Sequence, residues 1–208
     1  MKKLLIAITL LLGCSAAVIA EPQSEPEASD ALRQQLDRIE HFHASFQQQV
    51  FDMQQELVQE GEGELWLLQP GKFRYVMHTP EPILFVGDGI TLWFYNELLE
   101  QVTLFDATTE LQRTPFALLM SDDRALWQDY RIESTGQGYR IMALDLSSPV
   151  QQLELIFSGD VLSEMQVQDL NGQFSVFRFD QINTDLDAFT LEHFQFVPPA
   201  DVDVDDQR

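Results

Sequence analysis

The most regular hydrophobic pattern in the chain runs from Gly63 to Phe105. Aromatic and branched apolar residues recur there at alternate positions between turn residues, the period-2 pattern of strands that bury one face. The pattern predicts four consecutive antiparallel strands. Between the runs ILFV and ITLWFY, the tripeptide Gly87-Asp88-Gly89 can supply the positive φ angles of a tight hairpin turn. We therefore expect an amphipathic sheet whose apolar face needs a cover.

Alternating patterns continue on both sides of this segment. Upstream, a strand beginning near His43 leads through MQQELVQEGEG into a hairpin. The second half of the chain carries five further strand patterns with Gly-Gln-Gly, Gly-Asp and Asn-Gly turns among them, which predicts a meander. Within LELIF, Leu155 shares one face with the apolar residues two positions away, whereas Glu154 lies on the other. The strands of this half are therefore also expected to form a sheet with one face buried away from water.

Helical spacing is confined to short stretches. Ser29 or Asp30 can cap an amphipathic helix that carries apolar residues at helical spacing over 32–39. Because proline favours the first position of a helix, Thr114-Pro115 predicts the start of a short apolar helix containing FALLM. A further helical turn is expected over 123–127. These helices are candidates for the cover of the sheet.

The chain ends in FQFVPPADVDVDDQR, which predicts a short strand stopped by Pro198-Pro199 and then a solvated acidic tail. The alternating aspartates of the tail lack the glycine and the distal glutamate of an EF-hand loop. No calcium site is therefore expected in the tail.

Residues 1–20 have the composition of a secretory signal peptide, with a positive start, a short apolar run and a small-residue cleavage site at Ala20. Removal of this leader leaves a single domain over 21–208, which is long enough to bury its own core. Two interpretations of Cys14, the only cysteine in the sequence, stay open. It is discarded with the leader, or, because LLGC resembles a lipobox, it is lipidated and becomes the mature N-terminus.

The net charge of −22 argues against nucleic acid as a partner, since phosphate binding needs clustered lysine and arginine. Removal of the leader takes away Lys2 and Lys3 and makes the acidic excess larger. An acidic surface either keeps the protein soluble or attracts a basic partner, and the sequence alone leaves both interpretations open.

The sequence contains no motif of catalytic or metal chemistry. Its four histidines show no HExxH or paired-cysteine spacing, and Gly-x-Ser-x-Gly elbows and phosphate loops are missing. We therefore predict no catalytic residue, no bound metal and no cofactor. The many acidic residues still leave a hydrolase with a carboxylate pair open as an alternative.

Fifteen phenylalanines and three tryptophans give a domain made mostly of sheet a large number of bulky apolar side chains. A sheet with only short helices either closes around a filled core or leaves a cavity between the sheet and the helices. Such a cavity could hold an acyl chain, because each methylene contributes about 0.8 kcal/mol on leaving water.

Five stretches of the sequence resemble the outer-membrane lipoprotein carrier protein family, LolA, and follow the family's order over nearly the whole chain after the leader. The LWFYN-x-x-x-EQVT block and the PP…DDQR ending are the most specific of these motifs. The five stretches are FHASFQQQV at 42–50, VQEGEGELWLLQPGKFRY at 58–75, DGITLWFYNELLEQVT at 88–103, TPFALL at 114–119 and FQFVPPADVDVDDQR at 194–208.

The resemblance implies a mainly β (α+β) fold, an incomplete antiparallel β-barrel covered by short α-helices that form a lid over a hydrophobic cavity. It also implies a monomeric periplasmic chaperone that is not an enzyme. Such a carrier receives lipoproteins by their acyl chains from an inner-membrane lipoprotein-releasing ABC transporter. It passes them to the outer-membrane receptor LolB, which shares the fold.

Phe73 matches an aromatic residue of the family's GKF-x-(W/Y) motif, which the resemblance associates with cargo and partner engagement at the cavity mouth. The remaining cavity residues are expected on the apolar face of the segment from Gly63 to Phe105 and on the elements opposite it. Ordinary core packing is the alternative for each of them. The full set is Leu36, Leu65, Leu67, Phe73, Tyr75, Phe85, Leu92, Phe94, Leu118, Leu119 and Leu155.

The chain departs from the family at Gln69, which precedes Pro70. Family members commonly carry an arginine there, which hydrogen-bonds to the lid and helps to hold it closed. A glutamine amide can also donate to carbonyl groups of the lid, but it has fewer donors and no charge. Gln69 is therefore the expected latch position.

Two other functions stay open on the sequence. The first is a lipidated outer-membrane receptor of the LolB type, anchored through Cys14. The second is an envelope lipid hydrolase, which would need an acid/base pair inside the cavity.

Overall fold

The computed structural model describes residues 25–112, 117–121 and 123–208. The expected leader with Cys14 and the expected helix start at Thr114-Pro115 lie outside these residues. Within the described part of the chain, no helix combines the length and the apolar character needed to cross a bilayer.

One sheet contains twelve strands among the described residues. They are β1 (His41–Phe51), β2 (Leu57–Leu68), β3 (Lys72–Thr79), β4 (Ile83–Asp88), β5 (Thr91–Asn96), β6 (Gln101–Asp106), β7 (Tyr130–Ser134), β8 (Gly138–Ala143), β9 (Val150–Ser158), β10 (Val161–Asp169), β11 (Phe174–Asn183) and β12 (Asp203–Asp206).

The strand order is β12-β6-β5-β4-β3-β2-β1-β11-β10-β9-β8-β7. Two antiparallel meanders, β1 to β6 and β7 to β11, are joined by the antiparallel pairing of β1 with β11. Strands β12 and β7 form the two ends of the order, so the sheet stays open. This architecture confirms the expected mainly β fold with an incompletely closed sheet.

Short helices complete the fold. The α-helices are α1 (Glu25–Leu36), α2 (Ala107–Gln112) and α3 (Ala117–Met120), and 3-10 helices lie at Arg124–Asp129, Leu186–Ala188 and Leu191–Phe194. The turn predicted over 123–127 corresponds to the first of these 3-10 helices.

Helix α1 is amphipathic and packs against β7. Its buried stripe consists of Ala28, Leu32 and Leu36, at spacings that place the three side chains on one face. The helix begins at Glu25, upstream of the cap predicted at Ser29 or Asp30, so that prediction is wrong.

The part of the sheet beneath α1 is fully packed. Strands β7 to β9 contribute a set of apolar side chains that are each at most about 1% exposed. Burial of this extent leaves no room for a ligand, so an internal cavity has to lie over the other part of the sheet. The packed set is Ile132, Ile141, Leu153 and Leu155.

The segment from Gly63 to Phe105 contains parts of five strands, β2 to β6, and not the four that were predicted. The hairpin between β4 and β5 is present, and its turn is closed by the Asp88 carboxylate, which accepts hydrogen bonds from the backbone N–H groups of Ile90 and Thr91 at 2.8 Å. Only Gly89 has a positive φ there, at +97°. The positive φ predicted for Gly87 is wrong, because this residue lies within β4.

Helix α2 was not predicted, because the sequence ATTELQ has no apolar stripe. Its first turn is capped by Asp106, whose carboxylate accepts a hydrogen bond from the N–H of Thr109 at 2.7 Å. The capping side chain, rather than hydrophobic periodicity, marks where this helix starts.

The prediction for the C-terminal end is wrong in two respects. The short strand expected before Pro198-Pro199 is replaced by a 3-10 helix and a loop, and the acidic tail forms β12, which pairs with β6. Backbone hydrogen bonds from Asp203 to Glu100 (2.8 Å) and from Gln207 to Leu104 (2.9 Å) hold it in place. Its side chains are exposed, so no hydrophobic pattern indicated the strand.

Candidate functional site

An apolar cavity of about 420 Å³ lies between the inner face of the sheet and helices α2 and α3. Its volume falls within the usual range of ligand pockets in proteins. Strands β1 to β5 form one wall, β10 and β11 a second, and the two helices the cover. The lining residues are Phe46, Leu65, Leu67, Phe73, Tyr75, Phe85, Leu92, Glu110, Leu111, Leu119, Met120, Leu162, Met165, Phe177 and Phe179.

An aromatic row crosses the floor of the cavity. The ring of Phe46 stacks on Tyr75 with centroids 5.1 Å apart, Tyr75 meets Phe85 edge to face at 6.1 Å, and Phe85 stacks on Phe94 at 4.7 Å. Phe177 closes the row on the β11 side, 5.5 Å from Phe46. Aromatic pairs at these separations attract one another beyond their hydrophobic burial, so the row is a stiff apolar surface.

Strand register explains the row. Tyr75 lies directly opposite Phe85, and Phe85 lies directly opposite Phe94, in neighbouring antiparallel pairs. Residues that face one another across such pairs project from the same side of the sheet. The alternation seen in the sequence therefore becomes one continuous surface across β3, β4 and β5.

Two glycines make room for rings that lean across neighbouring strands. A Cβ on Gly63 would overlap the backbone carbonyl oxygen of Val76 and lie 2.6 Å from Cζ of Phe46, and a Cβ on Gly87 would overlap Cε1 of Phe73. Gly87 is thus required for close packing of an aromatic ring rather than for a turn.

Hydrogen bonds from the β2–β3 turn hold the lid helix α3. The amide Nε2 of Gln69 donates to the carbonyl oxygen of Leu119 at 2.9 Å. The backbone N–H of Gly71 donates to the carbonyl oxygen of Met120 at 2.8 Å. Carbonyl groups in the last turn of a helix have no partner within the helix, so both bonds satisfy acceptors that would otherwise be orphaned. Gly71 adopts a φ of +72°, which places its N–H at α3.

The lining contains few polar side-chain groups. Glu110 brings a carboxylate from α2, and Tyr75 brings a hydroxyl from the floor. Burial raises the pKa of the Tyr75 phenol well above its ordinary value, so the hydroxyl stays neutral. In the described part of the chain, no group of three histidine, cysteine or acidic side chains is arranged to hold a metal ion.

The outer face of the same strands is polar and carries a cluster around Glu64. His43 stacks on Trp66 at 3.6 Å, and the Glu64 carboxylate lies 3.4 Å from Nε2 of His43 and 3.6 Å from Nε2 of His78. Burial tends to raise the pKa of Glu64, but hydrogen bonds from His43, His78 and Trp66 outweigh it and leave that pKa below its usual value. The cluster lies on the side of the sheet away from the cavity.

The structure brings seven of the eleven predicted cavity residues together around one space. Of the others, Leu36, Leu118 and Leu155 lie in the packed core, at most 3% exposed, and Phe94 lies beyond the lining, stacked on Phe85. Sequence periodicity assigns a residue to a face but does not separate the packed part of that face from the hollow part. The seven lining residues are Leu65, Leu67, Phe73, Tyr75, Phe85, Leu92 and Leu119.

Several lining residues were not singled out from the sequence. Phe177 and Phe179 alternate with polar residues in β11, and this was a usable signal once β11 was known to pair with β1. Glu110 and Leu111 lie on α2, for which the sequence had no helical signal. The complete set of these residues is Phe46, Glu110, Leu111, Met120, Leu162, Met165, Phe177 and Phe179.

Comparison with known proteins identifies the family. The family model described as "Outer membrane lipoprotein carrier protein LolA" matches residues 37–197. The chain belongs to the LolA family. A relative in Pseudoalteromonas translucida, named outer-membrane lipoprotein carrier protein, is 37% identical over 100% of this chain and 98% of its own length. A relative of the same name in Serratia proteamaculans is 34% identical over the full length of both chains.

A solved structure supports the fold of this LolA family member. An uncharacterized conserved protein from Thermus thermophilus matches with a TM-score of 0.53 and 16% identity, over 89% of this chain and 100% of its own. At this identity the likeness concerns the fold alone.

Proposed function

We propose that this chain is a periplasmic lipoprotein chaperone that holds the acyl chains of its cargo in the apolar cavity. The observation that carries the proposal is a space lined almost entirely by aliphatic and aromatic side chains, in a family whose full-length relatives are named lipoprotein carriers. Burial of an acyl chain there contributes about 0.8 kcal/mol per methylene, which supports binding without covalent chemistry.

The cover of the cavity supports reversible loading. Lid helix α3 is attached to the β2–β3 turn by two hydrogen bonds between uncharged groups, from Gln69 and Gly71. Each such bond contributes about 0.5–1.5 kcal/mol net, less than the burial of a few methylenes. An entering acyl chain can therefore offset the loss of these two hydrogen bonds.

The proposed transport route has three steps. A mature domain over 21–208, exported by the leader 1–20, accepts a lipoprotein from an inner-membrane ABC transporter and delivers it to the outer-membrane receptor LolB. A carrier can be unloaded without its own energy source, because cargo moves toward the partner that binds it more tightly. The carrier itself acts as a monomer and not as an enzyme.

The test is to mix the purified mature protein with inner-membrane spheroplasts that are synthesising lipoproteins. The proposal predicts that new lipoproteins leave the membrane in a soluble complex with the protein. Lipoproteins that stay in the membrane fraction would overturn it. Palmitate labelling of the expressed protein addresses the alternative of a receptor anchored through Cys14, because only that form incorporates the label.

A further inference from the structure

The floor of the cavity carries a polar side-chain group set among aromatic rings, the hydroxyl of Tyr75. The ring of Tyr75 is the centre of the aromatic row, between Phe46 and Phe85 and 6.5 Å from Phe177. A phenylalanine at this position would make the same ring contacts. The hydroxyl is therefore not explained by packing.

The hydroxyl has a weak partner. It lies 4.0 Å from the thioether sulfur of Met77, the one hydrogen-bond acceptor it meets among the described residues. Thioether sulfur is a weak acceptor, and the hydroxyl of a partly buried tyrosine such as Tyr75 normally finds a stronger one. A ligand that brings an oxygen acceptor into the cavity would therefore gain a hydrogen bond at little cost to the protein.

The Tyr75 hydroxyl keeps the proton that it needs in order to donate a hydrogen bond. Burial raises the pKa of the phenol, so the proton stays on the oxygen at neutral pH and well above it. The Tyr75 phenol is therefore a neutral donor, which suits an uncharged oxygen acceptor.

We infer that the Tyr75 hydroxyl donates a hydrogen bond to the carbonyl oxygen of an ester-linked acyl chain, so that the cavity recognises the ester as well as the hydrocarbon. The inference rests on the proposed function and adds a chemical requirement to it. Hydrocarbon burial supplies most of the affinity, while the hydrogen bond separates an ester-linked chain from a bare alkane of the same length.

The test is a competition assay with full mature protein, in which a fluorescent apolar dye is displaced from the cavity. The two competitors are methyl laurate and an alkane of equal chain length. The variant is Tyr75→Phe, which keeps the ring. The control is Tyr95→Phe, which removes a hydroxyl from the opposite face of the sheet, where Tyr95 packs against Phe196 at 5.6 Å.

Loss of a neutral hydrogen bond predicts that Tyr75→Phe weakens methyl laurate roughly threefold to tenfold and leaves the alkane unchanged. Tyr95→Phe should change neither. Equal affinity of Tyr75→Phe and wild type for the ester, or an equal loss for ester and alkane, overturns the role of the hydroxyl. A wild-type protein that binds neither competitor contradicts the proposed function itself, so the two failures are distinguishable.

Discussion

The Nε2 atom of Gln69 donates a hydrogen bond of 2.9 Å to the carbonyl oxygen of Leu119, joining the β2–β3 turn to the lid helix. Leu119 lines the cavity, so this bond connects Gln69 directly to the cavity wall. The family resemblance predicts a latch with fewer donors at this position, and the Gln69 amide makes one hydrogen bond to the helix that such a latch would hold.

Replacement of Gln69 by leucine removes the donor and keeps most of the side-chain volume. Without this hydrogen bond the closed lid loses about 1 kcal/mol of stabilisation, which predicts a roughly fivefold larger population of the open lid. Bound cargo should therefore be released faster. Gln69→Arg, by contrast, should bind cargo normally and release it more slowly, because a guanidinium has more donors.

Release rates of a fluorescent acylated peptide, measured by stopped flow, test both latch variants. Gln47→Leu is the matched control, since Gln47 is exposed on a neighbouring strand. Identical release from wild type, Gln69→Leu and Gln69→Arg would mean that position 69 is not a latch.

Phe73→Glu places a carboxylate in the lining of the cavity, where a charge is costly to desolvate. Phe73 is only partly buried, so the fold should survive while transfer of lipoprotein falls roughly tenfold or more. Circular dichroism and the soluble-complex assay measure the two effects separately. The control is Val197→Glu at an 83% exposed position, and a Phe73→Glu variant that transfers cargo normally contradicts the role of Phe73.

Gly87→Ala tests the close packing of Phe73. The added Cβ would overlap the ring and must push it into the cavity, at a cost of about 1–3 kcal/mol. We expect lower stability in urea and weaker binding of the apolar dye. Gly136→Ala should be almost neutral, because no heavy atom beyond its two chain neighbours lies within 4 Å of the new Cβ. Equal behaviour of the two variants would argue against the packing requirement.

The cluster on the outer face predicts a pH dependence of stability. The pKa of Glu64 is lower in the folded protein than in the unfolded chain, so the ionised carboxylate stabilises the fold. This contribution to the free energy of unfolding is fully present above pH 4.5, the ordinary pKa of glutamate, and is lost as the pH falls through the lowered pKa. The stability difference between wild type and Glu64→Gln should therefore shrink below pH 4.5. Urea unfolding at several pH values measures it, with Glu97→Gln as an exposed control. If the stability difference between the two proteins stayed constant with pH, it would contradict the lowered pKa of Glu64.

The strands were predictable from the sequence because alternation is a local property, and Tyr75, Phe85 and Leu92 were placed on the cavity face for that reason. The division of that face into core and cavity was not predictable. Leu155 and Leu65 have equivalent alternation, yet Leu155 lies in the packed core and Leu65 lines the cavity. Which part of the sheet stays hollow depends on where the helices pack.

Long-range pairing also escaped sequence reasoning. Phe177 reaches the cavity because β11 pairs with β1, and the tail forms β12 through backbone hydrogen bonds to β6. Neither of these two strand pairings can be predicted from the local periodicity of the sequence. The contact between Gln69 and the lid was expected only through the motif around it, since a single polar residue before a proline has no distinctive pattern of its own, and its role as a latch stays a prediction.

Occupation of the cavity by the acyl chains of cargo can be tested by site-specific photocrosslinking. A photoreactive phenylalanine analogue is placed at Phe85 on the cavity floor or at Tyr95 on the outer face of the adjacent strand, and the protein is loaded with lipoprotein from spheroplasts. We predict that mass spectrometry finds acyl-chain adducts at position 85 and none at position 95. Adducts missing from position 85, or equally abundant at both positions, would show that the acyl chains do not lie in the cavity.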